Sequence, residues 1–142
     1  MTIRNLFVVF LVLLFPAACS GGGAPPVPDR LENGVLDKQL DETAFRLEMA
    51  PALSILGENR VTIRLKEKDG TPIDDCHVNL SASSTLPGMK IERVEINHGQ
   101  GGEYQGRLHF MSVGQWKLTI ALHRFGMKEM KEVVLFDVIG HS

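Results

Sequence analysis

Hydrophobic and polar residues alternate along most of the chain after about residue 44. In the segment RVTIRLK, the apolar residues Val61, Ile63 and Leu65 are separated by polar ones, and WKLTIALH repeats this pattern from Trp116. A period of two is typical of β-strands that bury one face and expose the other. The pattern predicts seven strands, at about 44–50, 59–67, 75–83, 89–96, 103–111, 115–123 and 130–138.

Turn sequences separate the predicted strands. The pair Asp69-Gly70 in KDGTP is a hairpin signal, and the order Pro87-Gly88 in LPGM fits a type II turn. Short strands at this spacing, without a clear helical pattern, predict an all-β antiparallel sandwich of about seven strands. Trp116 is expected in its core, together with Phe110 and Leu118. The chain lacks the Cys-Trp-Cys pattern of antibody domains.

Residues 1–18 have the pattern of a signal peptide. One basic residue, Arg4, precedes the ten-residue apolar run LFVVFLVLLF, which is too short to span a bilayer. Two alanines then stand directly before Cys19, which resembles the lipobox of bacterial lipoproteins. In that motif the cysteine is lipidated and becomes the first mature residue, although Pro16 occupies a position that is most often Leu. An ordinary secretory signal is the alternative.

Lipidation of Cys19 predicts a protein of the cell envelope, held on the extracytoplasmic side of a membrane by acyl chains. Ser20 follows the cysteine, which resembles the pattern for outer-membrane sorting in organisms with two membranes. Residues 19–43 are then a flexible tether, because SGGGAPPVP is rich in Gly and Pro. Its last part, VLDKQLDET, also fits a short helix. Residues 44–142 form the predicted domain.

Composition narrows the possible functions. The 142 residues carry a net charge of -2 and are 44% hydrophobic, as expected for one ordinary domain with extensions. The absence of a basic excess argues against nucleic acid as a partner. Cys76, which lies in an apolar alternation, is expected to be a buried small hydrophobe. No nucleophile motif is present, so the sequence does not indicate an enzyme.

Four motifs occur in order along the chain: Asp69-Gly70 with Pro72, Pro87-Gly88-Met89, Gly102-x-Tyr104 and Gly114-x-Trp116. Together they resemble the YtkA-like domain family, to which FixH-type proteins are related. The resemblance implies an immunoglobulin-like sandwich on the outer side of a bacterial membrane, often lipid-anchored. It also implies a link with copper handling or with assembly of respiratory oxidases for some members. The chain departs from many relatives at Leu86, where they have Met, and at Cys76. The resemblance covers roughly residues 44–138.

Copper(I) prefers thioether and imidazole ligands, so the Met and His residues are candidate ligands. His109 and Met111 lie two apart on one predicted strand and should share its outward face. Met89 or His123 is the candidate third ligand. The alternative is that these are ordinary surface side chains and that LPGM is only a turn. The full set of candidates is Met89, His98, His109, Met111, His123, Met127 and Met130.

Two function classes follow from the sequence. The first is a membrane-anchored extracytoplasmic binding module that handles Cu(I) or assists assembly of a respiratory complex. The alternative is a ligand-free structural or interaction domain that assists a membrane protein complex, for example through an edge strand.

Overall fold

Two β-sheets packed face to face make up the structure, a computed structural model that describes residues 26–94, 96–98 and 100–141. The strands are β1 (Asp29–Arg30), β2 (Val35–Leu40), β3 (Thr43–Ala50), β4 (Ser54–Ile55), β5 (Gly57–Glu67), β6 (His77–Ser84), β7 (Lys90–Val94), β8 (Ile96–His98), β9 (Glu103–Phe110), β10 (Gly114–His123) and β11 (Met130–Ile139).

The strand order defines an immunoglobulin-like sandwich, which confirms the predicted fold class. One sheet has six strands, in the order β1-β11-β10-β6-β7, with β4 also paired to β11; the other has the order β2-β3-β5-β9-β8. All pairs are antiparallel except β1 and β4, which run parallel to β11. Within the described residues, no helix is long and apolar enough to cross a membrane.

Six of the seven predicted strands match an observed strand to within two residues at each end. The exception is the strand predicted at 89–96, which is divided between β7 in the six-stranded sheet and β8 in the five-stranded sheet. The chain changes sheets within this segment. An alternation of side chains cannot reveal such a change, because it reports only which face of a strand is buried.

The sandwich begins at Asp29 rather than at residue 44, so the last part of the predicted tether belongs to the fold. The first six residues of VLDKQLDET were predicted as linker or helix. In the structure Val35–Leu40 is instead an edge strand paired with β3. Its outward positions are polar, as expected at a sheet edge, and this weakened its strand signal. The predicted signal peptide and Cys19 lie outside the described residues.

A partly buried ion pair attaches this edge strand to the opposite sheet. The Lys38 Nζ atom on β2 lies 3.0 Å from a carboxylate oxygen of Glu132 on β11 and 2.6 Å from one of Asp29. Glu132 is buried, and this burial raises the pKa of its carboxyl group. The hydrogen bond from Lys38 lowers the pKa of Asp29. Since both carboxylates share one ammonium group, β1 and β2 are held together across the two sheets.

The alternating apolar positions of both sheets fill the core, and Phe110, Trp116 and Leu118 all point inward as predicted. The Phe110 ring lies between two others, with its centroid 4.9 Å from that of Trp116 and 5.4 Å from that of Phe136. Cys76 is a buried free thiol, also as predicted. Burial raises the pKa of this thiol, which keeps it protonated and unreactive.

Candidate functional site

One end of the sandwich is formed by four segments without a single Asp, Glu, Lys or Arg. We name it the uncharged end and define it as residues 50–57, 83–89, 110–116 and 138–141. Backbone pairing brings these segments together, since Gly57 is opposite Phe110 in one sheet and Gly114 is opposite Val138 in the other. The Phe110 ring on one sheet contacts the Trp116 ring on the other, which joins the two sheets at this end.

Most of the exposed large hydrophobic side chains of the described residues lie at this end. Met111 is 69% exposed and Leu53 is 65% exposed. A cluster of exposed apolar side chains on a folded domain commonly marks a binding surface. The exposed large hydrophobic residues of the uncharged end are Leu53, Leu86, Met89, Met111, Val113 and Ile139.

Met89 is presented by the turn between β6 and β7. Its N–H donates to the Leu86 carbonyl at 3.4 Å, and Gly88 has a positive φ of 80°, as required at the third position of the predicted type II turn. The N–H of Ser84 donates to the Met89 carbonyl at 2.8 Å and closes the hairpin. Met89 is therefore exposed on a fixed backbone.

His109 and Met111 are both exposed, as predicted from their spacing. His109 lies near the end of β9, opposite Glu58 of β5. Met111 follows β9 in the connection to β10, which belongs to the other sheet, and therefore lies between the two layers. The next residue, Ser112, accepts a 3.0 Å hydrogen bond from the Trp116 indole N–H, which fixes the connection on the core.

The structure brings Met89, His109 and Met111 to the same end of the sandwich but separates His123 from them. His123 is the last residue of β10, nine residues after Gly114, and lies roughly 30 Å from Gly114 at 3.3 Å per residue. The proposal of His123 as a third ligand for His109 and Met111 is therefore wrong. In the structure His123 lies opposite His77 of β6, which was not among the predicted ligands.

The remaining candidates do not join the uncharged end. Met127 lies in the turn between β10 and β11, and Met130 begins β11. His98 lies in β8, and its side chain is outside the described part of the chain. Among the described residues, no group of three or more His, Cys, Asp or Glu side chains is placed to hold a metal ion. A metal at the uncharged end would therefore depend on thioether ligands.

The opposite end of the sandwich is rich in charged residues, and we name it the charged end. It comprises residues 41–42, 67–69, 74–75 and 124–129. Arg124 fastens its turns together, because its guanidinium lies 2.9 Å from both Glu67 and Asp75. Phe125 at the tip of the β10–β11 turn is 99% exposed. The two ends of the sandwich therefore differ in charge: ionic side chains are concentrated at the charged end, which also exposes Phe125, and are absent from the segments of the uncharged end.

The fold and its two ends define an immunoglobulin-like β-sandwich domain with one exposed apolar surface. The sequence model of the YtkA-like family matches residues 37–121, and the chain belongs to this family. This confirms the resemblance seen in the motifs. Among functionally curated proteins, none is similar to this chain in sequence at a significant level.

Solved structures of low sequence identity share the fold. A DUF4426 family protein from Pseudomonas aeruginosa PAO1 is 15% identical, with a TM-score of 0.60, over 77% of this chain and 98% of that one. FetP from uropathogenic Escherichia coli strain F11 is 12% identical, with a TM-score of 0.57, over 75% and 95% of the chains. The PmoD soluble domain from Methylocystis sp. ATCC 49242 is 11% identical, with a TM-score of 0.50, over 75% and 99%.

Proposed function

We propose that this protein is a lipid-anchored binding module of the cell envelope that handles Cu(I) at its uncharged end. The observation that carries the proposal is the placement of Met89, His109 and Met111, all exposed, at one end of the sandwich. Two thioethers and an imidazole are ligands that suit Cu(I) better than hard divalent ions. Met89 and Met111 belong to the uncharged end. His109 borders this end and lies opposite Glu58 of β5.

Structural relatives support the choice of metal. A variant of FetP that is 13% identical to this chain, with a TM-score of 0.55, has been solved with copper bound. The same fold can therefore bind copper in a protein whose loops differ from those of this chain. For the present chain the proposed ligands come from its own turns, since Met89 belongs to the β6–β7 turn and Met111 to the β9–β10 connection.

The proposed anchor and the proposed copper site lie at different ends. Pro26–Pro28 share a groove with Lys131–Val133 at the beginning of β11, which is near the charged end. Six residues lie between Cys19 and Pro26, so the Cα atoms of these two residues are at most about 25 Å apart. An acylated Cys19 would therefore keep the domain close to the membrane. Because the Gly-rich tether predicted from the sequence does not fix the orientation of the domain, the uncharged end can face away, where a soluble donor or acceptor of copper can reach it.

Acylation of Cys19 is tested by growing cells that express the full chain with radiolabelled palmitate. The wild-type chain should incorporate label and sediment with membranes, whereas Cys19→Ser should do neither. Cys76→Ser is the matched control, because this buried thiol is not a site for acylation. Label that persists in Cys19→Ser would refute the anchor.

Copper binding is tested by titrating the full chain carrying Cys19→Ser with Cu(I) against a competing chelator. The wild-type ligand set should hold one ion, and His109→Ala combined with Met111→Ala should lower the affinity on the order of 100-fold, because linked ligands act as a chelate. Met127→Ala, which removes an exposed thioether from the charged end, should change nothing. Equal affinities for all variants would refute the site.

A second candidate function is docking of a protein partner on the uncharged end. Leu53, Val113 and Ile139 favour it, since these exposed side chains have no role in binding Cu(I). A surface of this kind gains free energy when another apolar surface covers it. If the titration shows no bound Cu(I), docking of a protein partner becomes the better explanation for the exposed side chains of the uncharged end.

A further inference from the structure

His77 and His123 face each other on neighbouring strands near the charged end. They are directly opposite in the antiparallel pairing of β6 with β10, and both are exposed. The inward positions beside them, Cys76 and Leu122, are buried, so the two imidazoles project from the same outer surface of the six-stranded sheet. The two residues are far apart in sequence and meet only through this strand register.

The geometry of an antiparallel pair suits chelation by two imidazoles. Residues directly opposite each other have Cβ atoms about 4.5–5.5 Å apart, which lets both rings reach one ion between them. Zn–N distances of about 2.0–2.1 Å are typical of such sites. The platform is fixed, because β6 and β10 are paired continuously from Ser84 opposite Trp116 to His77 opposite His123.

The surroundings of the pair do not oppose a cation. Arg124, next to His123, is neutralised by ion pairs to Glu67 and Asp75 at 2.9 Å. On the far side of β10, Lys131 forms an ion pair with Glu129 at 3.1 Å. The next outward pair along the two strands, Ala121 opposite Asn79, is small and uncharged, which leaves room for water ligands on the metal.

We propose that His77 and His123 form a chelating site for a divalent transition-metal ion of the Cu(II), Ni(II) and Zn(II) group, with water in the remaining coordination positions. Imidazole nitrogen suits these borderline ions, and Cu(II) binds most tightly among them. This site lies at the other end of β10 from Met89, His109 and Met111. It uses no thioether and is independent of the proposed Cu(I) function.

The test is a calorimetric titration of the untagged full chain, carrying Cys19→Ser, with NiCl2 in the absence of reductant. Nickel(II) is chosen because thioether ligands do not hold it well. One ion should bind, and His77→Ala or His123→Ala should each weaken binding by about tenfold or more, because chelation is lost. His141→Ala, which removes another exposed histidine, is the matched control.

Two further readouts make the test specific. Nickel should raise the melting temperature of the wild-type chain but not that of His77→Ala or His123→Ala, since a ligand stabilises the state that binds it. With CuSO4, electron paramagnetic resonance should show two coupled nitrogens in the wild type and one in either variant. Binding that persists in both variants, or that is lost equally in His141→Ala, would overturn the site. Neither result would bear on the Cu(I) site.

Discussion

Trp116→Ala is expected to lower the free energy of unfolding by about 3–5 kcal/mol, as is usual when a buried aromatic side chain is truncated. Trp116 is 1% exposed and packs against the Phe110 ring with a centroid distance of 4.9 Å. Its indole N–H also donates to the Ser112 carbonyl, so the substitution leaves that acceptor without this bond and opens a cavity. The loss should be measured by urea unfolding followed by circular dichroism.

The effect should also reach the uncharged end, because Ser112 belongs to the connection that carries Met111. A weaker Cu(I) affinity in Trp116→Ala is therefore expected even though Trp116 does not touch the metal. Phe125→Ala is the control, since this side chain is 99% exposed and its truncation should change stability by less than about 0.5 kcal/mol. Equal stability of Trp116→Ala and the wild type would contradict the account of the core.

The strand content of the fold could be predicted from the sequence because burial in a sandwich imposes a period of two. Six of the predicted strands needed no other information. The segment around β7 and β8 was predicted as one strand. Its apolar residues Ile91 and Val94 are three positions apart, which breaks the period of two where the pairing of β7 with β6 shifts register. The edge strand β2 was missed because Asp37, Lys38 and Gln39 are exposed there, and exposed edges carry little hydrophobic signal.

The strand pattern predicts shared exposure only for residues that are close in sequence. His109 and Met111 lie two apart, so their common exposure followed from the strand pattern. Their distance from His123 depends on the length of β10, which is ten residues long and places His123 at its far end. The meeting of His77 with His123 depends on the register of β6 against β10, which no local pattern encodes. Each is a long-range property of the sheet.

The Gly102-x-Tyr104 motif has a structural explanation that also bears on His77. The Tyr104 hydroxyl donates to the Ile73 carbonyl at 2.8 Å and accepts from the Cys76 N–H at 3.1 Å. Gly102 donates its N–H to the Asp74 carboxylate at 2.6 Å. These bonds fasten residues 73–76 against β9. Because β6 starts at the next residue, the motif positions His77 opposite His123.

Gly102→Ala should therefore be among the most damaging single substitutions in the chain. Gly102 has a φ of +73°, and a Cβ atom there would lie 2.3 Å from the Leu65 carbonyl oxygen, which is a backbone atom that cannot move aside. The positive φ costs an alanine about 1–2 kcal/mol, and the overlap adds about 1–3 kcal/mol. Urea unfolding measures the total loss of stability.

Gly101→Ala separates the two causes. Gly101 has almost the same φ, +71°, but a Cβ atom there would have no neighbour within 4 Å. Its substitution should therefore show only the cost of the positive φ, and the difference between the two variants measures the close approach to Leu65. Gly102→Ala should also weaken Ni(II) binding, because the segment before His77 shifts, whereas Gly101→Ala should not. If both variants lose the same stability, Gly102 is required for its φ alone and the packing of this loop against β5 contributes nothing.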